Sequence, residues 1–421
     1  MNAHVDIGAA NRAIVATPRP GALIVGGSIG SLAAARSLGR TGVRVWYLAD
    51  GYPVPALSRY VERALTWSGA EKETALYDLI ALGREHGLDG WVLIPGGDPE
   101  VRLIARNHAE LSRLFRLTIP DWEVVRWADD KNLTYALAER IGIPVPRRYR
   151  PNNLEDVRAL ECQFPVILKP ASHHQPNAFS RAKAWIADDR AALIARYAQA
   201  ASAVPADEIV LQEMIPGDGR TQFSYAAVWR DGAPLGALTA TRSRQYPVNV
   251  GYTSSFVETV DNPAVVEAAS RFLGALKYSG PVEVEFKFDA RDGSYKILDV
   301  NPRLWAWVGI GEAAGVDFPA LLYRATVGEH IEPVTARAGT AWMHLTRDLV
   351  AAAQEMMIGR LSLQRYLAGL RKRIAFAIFA TDDVVPALAE PPVTLYRVVR
   401  ARLWPRVSDW LRPARKNAAR G

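Results

Sequence analysis

The sequence has little cysteine and no long apolar run, and each absence excludes a class of protein. One cysteine, Cys162, among 421 residues allows neither a disulfide framework nor a cysteine-based zinc cluster. No segment approaches the roughly 20 apolar residues that a membrane helix requires. The first 20 residues have no apolar stretch behind a charged head, so we expect no signal peptide and a cytoplasmic protein.

The positive charge is modest and lies mainly near the end of the chain. The formal net charge of +7 indicates ordinary solubility or attraction to phosphate-bearing ligands and anionic membranes. Residues 395–420 hold many arginines, Trp404, Trp410 and a single acid, Asp409. This composition is typical of a helix packed on the protein body or of one lying on an anionic membrane face. No recognition motif accompanies the charge, so we expect no nucleic-acid partner.

The alternation of strand and helix patterns divides the chain into four parts. Residues 1–20 are predicted to be a flexible tail. Residues 21–120 alternate buried strands with amphipathic helices, which predicts a parallel, Rossmann-like α/β domain. Residues 121–330 combine helices with longer strands and turn signals, which predicts an antiparallel α+β domain. Residues 331–421 are predicted to form a helical, basic extension.

The segment that ends in DVNPR carries the strongest chemical signal. Alternation places Glu283 and Glu285 on one face of a strand, and an Asp-Gly turn returns the chain antiparallel. Asp299 can then approach Glu285, with Asn301 on the same face. Carboxylate and amide oxygens are ligands suited to Mg²⁺. A solvated, charged hairpin is the alternative, but the apolar residues between the acids favour a metal site.

This hairpin resembles the metal-binding end of ATP-grasp enzymes, where an acid and then an acid-x-Asn-x-Arg run hold Mg²⁺ on the ATP phosphates. The matching positions here are Glu285, Asp299, Asn301 and Arg303. The second acid is more often glutamate in the superfamily, and aspartate is shorter by one methylene. The number of metal ions is therefore open, and Mn²⁺ is an alternative metal.

Other segments resemble ATP-grasp motifs in the family order. Lys131 begins the helix KNLTYALAERIG and Lys169 ends FPVILKP; the resemblance implies that both contact the nucleotide phosphates. Asp218 is the candidate acid for the ribose. The segment LQEMIPG is similar to the adenine-binding hinge, which implies nucleotide contacts by Gln212, Glu213, Met214 and Ile215.

The stretch after the second lysine departs from the family pattern. Many members have a glycine-rich flap there, whereas ASHHQPNAFSRAKAW contains no glycine. A mobile polar loop is expected rather than a histidine metal site, because adjacent residues of an extended chain point apart. Its polar residues are Ser172, His173, His174, Ser180 and Lys183.

Two arginines precede a polar loop in TATRSRQYPVNVGYTSS. Alternation predicts Arg242 and Arg244 on one strand face, and the family order places them at the reaction centre. They are predicted to hold the γ-phosphate or a substrate carboxylate, with a basic surface strand as the alternative. Weaker candidates for substrate contact are Asn249, Tyr252, Thr253 and Ser254.

Two glycine clusters lie in the first predicted domain. GGSIGS at 26–31, followed by Asp50, has part of a dinucleotide-binding pattern but not GxGxxG. The ATP-grasp resemblance implies instead that this loop faces the reacting substrate. Asp98, in IPGGDPE, is a second candidate for substrate contact, although turn formation explains both clusters nearly as well.

The resemblance implies an ATP-grasp fold with an N-terminal pre-ATP-grasp domain and a lid at about 143–215. The sequence RQYP…GYTSSFVET is similar to the corresponding segment of predicted ATP-grasp carboxylate–amine ligases. Such an enzyme activates a small carboxylate with ATP and joins it to an amine. A carboxylase-like or phosphotransferase enzyme and a non-catalytic, membrane-associated nucleotide-binding protein are alternatives. The acid, the amine and the oligomeric state stay open.

Overall fold

The computed structural model describes residues 19–171, 177, 179, 184–246, 248 and 253–397. Several predicted features lie outside these residues: the two terminal tails at 1–18 and 398–421, the flap residues Ser172, His173, His174, Ser180 and Lys183, and the loop residues Asn249 and Tyr252. In the part of the chain that is described, no helix combines the length and hydropathy needed to cross a membrane.

The first domain is a parallel sheet flanked by helices. Its strands are β1 (Ala22–Val25), β2 (Val45–Ala49), β3 (Arg63–Thr66), β4 (Val92–Pro95) and β5 (Arg116–Leu117). Its helices are α1 (Ile29–Arg40), α2 (Ala75–Glu85), α3 (Asp98–Arg106) and α4 (His108–Leu111). The strand order is β3-β2-β1-β4-β5, and every recorded pairing is parallel. β1 and β4 are buried throughout, as central strands covered on both faces should be.

The glycines after β1 and β4 let two loops meet at the carboxyl edge of this sheet. A Cβ at Gly27, whose φ is +79°, would approach the Gly96 carbonyl oxygen to 2.3 Å. A side chain at this position would therefore separate the loops. The loop after β4 leads directly into Asp98, the first residue of α3.

A small antiparallel sheet, called the lid sheet below, occupies most of the range predicted to be a lid. Its strands are β6 (Arg148–Tyr149), β7 (Val166–Pro170), β8 (Trp185–Ala187) and β9 (Ile209–Glu213), in the order β6-β9-β7-β8. Two helices, α7 (Leu154–Ala159) and α8 (Arg190–Ala201), belong to the same region. Alternate residues of β7, Val166 and Leu168, are buried against Leu193 and Tyr197 of α8. Lys169 is therefore on the opposite face of β7.

The largest sheet has eight strands. They are β10 (Gln222–Arg230), β11 (Ala233–Tyr246), β12 (Thr253–Val260), β13 (Gly280–Asp289), β14 (Ser294–Asn301), β15 (Val334–Thr335), β16 (Thr340–Met343) and β17 (Arg373–Phe376). Helices α5 (Trp122–Asp129), α6 (Lys131–Arg140), α9 (Pro263–Ala275), α10 (Ile310–Ala314) and α11 (Phe318–Thr326) accompany it. The order is β14-β13-β10-β11-β12-β16-β17, with β15 beside β11.

The C-terminal region contains strands as well as the predicted helices. Helices α12 (Leu345–Met357) and α13 (Leu363–Leu370) and a further helix at 385–397 are present. β15, β16 and β17 also come from this region, and β16 pairs with β12. The extension therefore completes the large sheet rather than packing on it as helices alone, because short strands such as TAWM give a weak periodic signal.

One apolar cluster joins the first domain, the large sheet and the C-terminal region. Ile24, Trp305 and Ile378 are among its buried members. A buried ion pair supports the same junction, since Arg36 Nε donates to Asp383 Oδ2 at 2.8 Å. The predicted combination of a parallel α/β domain with an antiparallel α+β domain is confirmed.

Candidate functional site

The predicted acid hairpin forms with the predicted pairing. β13 and β14 are antiparallel, and Glu285 is directly opposite Asp299 while Glu283 is opposite Asn301. Directly opposed residues of two strands project from the same face of the sheet. The turn is closed by Asp292, whose Oδ1 accepts the Ser294 backbone N–H at 3.0 Å. The hairpin thus brings two carboxylates and an amide together.

Neighbouring polar groups hold the Glu285 carboxylate in place. Gln222 Nε2, on the adjacent strand β10, donates to its Oε2 at 2.6 Å. Arg242 donates to Oε1 at 3.2 Å, and Asn301 Nδ2 lies 3.4 Å from the same oxygen. Gln222 was not among the predicted site residues, because cross-strand neighbours outside a hairpin are not readable from local spacing.

The oxygen donors fit Mg²⁺ better than a softer metal. In the described ranges no group of three or more histidine, cysteine, aspartate or glutamate residues forms a metal cage. Glu285, Asp299 and Asn301 offer two carboxylates and one amide, which are hard ligands. Mg²⁺ usually takes only one or two carboxylates from the protein and completes its coordination with water and phosphate oxygens. This donor set therefore suits Mg²⁺ carried by a phosphate ligand.

Lys131 connects the acid hairpin to helix α6. Asp130 caps this helix, its Oδ1 accepting the Asn132 backbone N–H at 2.7 Å, which places Lys131 in the first turn. Lys131 Nζ donates to Asp299 Oδ1 at 3.0 Å. Burial disfavours the ammonium, but the Asp299 carboxylate outweighs burial and raises the pKa of Lys131. The backbone N–H of Lys131 also donates to the Ala171 carbonyl at 3.1 Å, which ties α6 to the end of the lid strand β7.

Lys169 extends from β7 toward the same acids. Burial and, secondly, the Lys131 ammonium lower the pKa of Lys169 to about 8. The carboxylates of Asp299 and Glu285 oppose this shift. Within the described residues Lys169 has no recorded hydrogen-bond or ion-pair partner. A half-buried cation without a partner, beside two acids, is suited to an anionic ligand.

Arg303 joins the acid hairpin to the first domain. Its Nε donates to Asp98 Oδ1 at 2.5 Å, and its Nη2 lies 3.3 Å from Oδ2. Nη2 is also 3.4 Å from Asn301 Oδ1. Asp98 and Arg303 are 205 residues apart in sequence. The predicted substrate contact in the first domain and the predicted family arginine are therefore in direct contact.

Glu283 is a third acid at this site and, unlike Glu285 and Asp299, it is buried. Its Oε1 accepts from Ser224 Oγ at 2.9 Å and from Trp307 Nε1 at 3.1 Å. Burial and the neighbouring Glu285 raise the pKa of Glu283 to about 7. The strand alternation already placed it beside Glu285. Its burial under Trp307, which depends on packing after the hairpin, was not readable from the sequence.

The two arginines of β11 separate in the structure, although alternation predicted a common face. Arg242 reaches Glu285, whereas Arg244 is buried and makes a bidentate pair with Asp348 of α12, with both bonds at 2.8 Å. The β11–β12 register shifts on both sides of Arg244. Such a bulge breaks the two-residue period of a strand. The substrate role of Arg244 stays a prediction, and in this structure its guanidinium is engaged by Asp348.

In the predicted adenine hinge, the Glu213 carboxylate is hydrogen-bonded to other residues of the protein. Glu213 Oε1 accepts from the Arg147 backbone N–H at 2.8 Å and from Lys296 Nζ at 3.1 Å. Its Oε2 accepts from Arg291 at 2.6 Å. The carboxylate is thus fully engaged by three donors. The nucleotide contact of Glu213 stays a prediction, and with the carboxylate engaged it would have to come from the backbone of this residue.

The remaining hinge residues have different surroundings. Gln212 is buried, and its Oε1 accepts from Tyr135 Oη at 3.1 Å. The Met214 N–H donates to the Pro165 carbonyl at 3.1 Å. The Ile215 N–H has no recorded partner in the described part of the chain. Asp218 is exposed, and its carboxylate accepts from the Arg220 backbone N–H at 2.9 Å.

Comparisons with known proteins agree with this architecture. D-aspartate ligase of Enterococcus faecium is 26% identical over 223 residues, which cover 51% of this chain and 53% of that protein. The chain therefore matches only about half the length of this relative. Among solved structures, L-amino acid ligase of Bacillus licheniformis has a TM-score of 0.59 at 17% identity, covering 77% of this chain and 79% of that one. No family model matches the chain.

A third likeness concerns a nucleotide complex. Biotin carboxylase of Campylobacter jejuni, solved as a β,γ-ATP complex, has a TM-score of 0.58 at 16% identity and covers 76% of this chain and 74% of that one. The chain has an ATP-grasp fold, and its ordered motifs are similar to those of the ATP-grasp superfamily, to which these likenesses also point. Within that superfamily it resembles the carboxylate–amine ligase branch, to which the two ligases above point.

Proposed function

We propose that this chain is an ATP- and Mg²⁺-dependent carboxylate–amine ligase. The observation that carries the proposal is the meeting of cations from two elements with the acid hairpin. Lys131 of α6 donates to Asp299, and Lys169 of the lid strand lies near Asp299 and Glu285 without a recorded partner of its own in the described residues. A cleft lined by both cations and acids is suited to bind a nucleoside triphosphate together with its metal ion.

The proposed reaction has two steps. A carboxylate oxygen of the first substrate attacks the γ-phosphorus of ATP, the bond to the β-phosphate oxygen breaks, and an acyl phosphate and ADP form. The amine of the second substrate then attacks the acyl carbon, phosphate leaves and the amine loses a proton, which yields an amide. Neither step requires a nucleophile from the protein.

Glu285, Asp299 and Asn301 would hold the metal, and a bound Mg²⁺ would neutralise charge on the phosphate oxygens. Lys169 would bind phosphate oxygens as a point charge. Lys131 would fix the Asp299 carboxylate while facing the same phosphates. The contribution of these side chains is to position the substrates and to compensate charge.

Arg303 and Arg242 are the arginines beside the acids in the described structure. Arg303 would bind the reacting carboxylate or the developing oxyanion, because its guanidinium lies between Asn301 and the first-domain residue Asp98. Arg242 would help to hold the γ-phosphate end. Adenine would be bound by hinge backbone groups, including the Ile215 N–H, because the Glu213 carboxylate is occupied.

The names of the relatives suggest where a substrate search should begin. Both D-aspartate ligase and L-amino acid ligase act on amino acids by name, so we propose an amino acid as one of the two substrates. A carboxylase-like reaction is the second candidate, because the fold is equally similar to that of biotin carboxylase. In that case bicarbonate would replace the organic acid.

An assay of ADP release separates these alternatives. The full chain is incubated with ATP, Mg²⁺ and pools of amino acids, beginning with D-aspartate, and of small carboxylic acids. A ligase should release ADP and phosphate only when an acid and an amine are both present, and the product mass should equal their sum less one water. ADP release that requires bicarbonate and no amine would indicate a carboxylase. A lack of turnover with every pool would support a non-catalytic protein.

Binding of an ATP analogue is expected to weaken as pH rises through the pKa of Lys169. With a pKa of about 8, the charged fraction of this lysine falls roughly tenfold between pH 7 and pH 9. The affinity should fall by up to that factor, because only the ammonium attracts phosphate. In Lys169→Arg the charge persists at both pH values, so the profile should become flat.

Lys287 provides a matched control for this measurement. Burial lowers the pKa of Lys287 to about 8 as well, but its Nζ donates to the Gly217 and Asp218 carbonyls, each at 2.8 Å. Lys287→Arg should therefore keep the pH dependence of the unaltered chain. If Lys287→Arg flattens the profile and Lys169→Arg does not, the assignment of Lys169 to the phosphates is wrong. Calorimetric titration at several pH values gives the affinities.

A further inference from the structure

The segment 356–380 has exposed apolar residues and contains no acidic residue. These 25 residues contain five cations, Arg360, Arg365, Arg371, Lys372 and Arg373, and neither aspartate nor glutamate. Lys372 is paired with Glu258. In the described part of the chain the four guanidinium groups have no recorded acidic partner. The chain as a whole has a net charge of only +7, so this segment is a local concentration of positive charge.

Helix α13 presents most of its apolar stripe to solvent. Leu363, Tyr366, Leu367 and Leu370 follow the i, i+3, i+4, i+7 spacing of a single helix face. Of these, Tyr366 packs inward, where the Arg244 guanidinium lies 5.2 Å from its ring centre. Leu363 and Leu367 are 62% and 48% exposed. Within the described residues, this stripe, of a kind that normally packs against a core, is largely exposed.

The apolar surface continues at the preceding helix end. Met357 and Ile358, at the end of α12, are 78% and 54% exposed. Together with Leu363, Leu367 and Leu370 they are five exposed apolar side chains within 14 residues of sequence, interspersed with Arg360 and Arg365. We call residues 357–373 the basic apolar segment. Basic residues near Arg373 are explained by the need to keep the edge strand β17 from pairing with another chain. This need does not explain the exposed leucines.

We propose that the basic apolar segment binds the surface of an anionic phospholipid membrane. Exposed leucines flanked by unpaired arginines match the composition of interfacial helices, whose apolar side enters the lipid while the cations contact headgroup phosphates. A second copy of the chain is a poorer occupant. A two-fold symmetric contact would bring the same four unpaired guanidinium groups against one another.

Vesicle co-sedimentation of the full chain tests this proposal. Binding is expected to phosphatidylcholine vesicles that contain phosphatidylglycerol, and not to pure phosphatidylcholine, at about 0.1 M salt. Leu363→Gln/Leu367→Gln should lower the partition coefficient at least about tenfold. Arg365→Gln/Arg371→Gln should lower it roughly fivefold per charge removed. All four side chains are exposed, so the fold and ATP turnover should be retained.

Two control variants locate the effect. Tyr77→Gln removes an exposed ring on α2 that is 72% accessible and should leave binding unchanged. Arg412→Gln/Arg415→Gln removes charge from the C-terminal tail and should preserve most of the binding. Loss of binding only in the tail variant, or no binding to anionic vesicles, would overturn the proposal. It would also be overturned if the leucine variant instead converted an oligomer into monomers in light scattering.

Discussion

Glu285→Gln and Asp299→Asn are each expected to lower ATP turnover about 100-fold or more, because each removes a carboxylate from the proposed metal site. Both replacements keep the size of the side chain. The amide at position 285 would keep the contact with Gln222, and the amide at position 299 would keep an oxygen near Lys131. The loss should therefore come from charge and metal affinity rather than from unfolding.

Metal dependence distinguishes a ligand role from a general electrostatic one. In both variants the Mg²⁺ concentration for half-maximal turnover should rise, whereas thermal unfolding without nucleotide should change little. Glu267→Gln, an exposed change of the same chemistry on α9, provides the matched control and should behave like the unaltered chain. If the hairpin variants turn over ATP normally at low Mg²⁺, the metal assignment fails even though the fold assignment stands.

Asp348→Ala is expected to lower the free energy of unfolding by about 3–5 kcal/mol, because it leaves the buried Arg244 guanidinium without its partner. The Asp348 side chain is fully buried and that of Arg244 is 5% exposed. Asp348 Oδ1 also accepts from Ser255 Oγ at 3.0 Å, so a second buried donor loses its acceptor. Phe256, whose ring centre is 3.9 Å from the Arg244 guanidinium, compensates only in part.

A double replacement and an exposed pair test the cause of this loss. Arg244→Met/Asp348→Leu should recover most of the stability, because no unpaired charge is then buried. Glu62→Ala breaks the exposed Arg44–Glu62 pair and should cost no more than about 1 kcal/mol. Denaturant unfolding followed by fluorescence and circular dichroism measures each change. A cost below about 1 kcal/mol for Asp348→Ala would contradict the account of a buried pair.

The position of this pair connects stability to the proposed active site. Arg244 is two residues from Arg242, which reaches Glu285, and α12 packs on β11 through Asp348. Loosening α12 is therefore expected to disturb the β11–β12 segment before the acid hairpin itself. Asp348→Ala should consequently raise the KM for a substrate more than it changes the affinity for ATP.

Local patterns in the sequence were enough to predict the acid hairpin. The two-residue period of a strand and an Asp-Gly turn predict that Glu285 and Asp299 oppose one another, and the register agrees. The same holds for Lys131, because Asp130 is a strong helix cap immediately before it. These features depend on interactions between residues close in sequence, which is why they were readable without the tertiary structure.

Other features were decided only when distant segments packed together. A bulge in β11 sends Arg244 to Asp348, 104 residues away, instead of to the site. The Glu213 carboxylate is engaged by Lys296, and Arg303 meets Asp98 across 205 residues. The sequence by itself determined the ATP-grasp elements and their order. Which charges face one another, and which are left for substrates, was decided by tertiary packing, because ion pairs between remote elements leave no periodic signal along the chain.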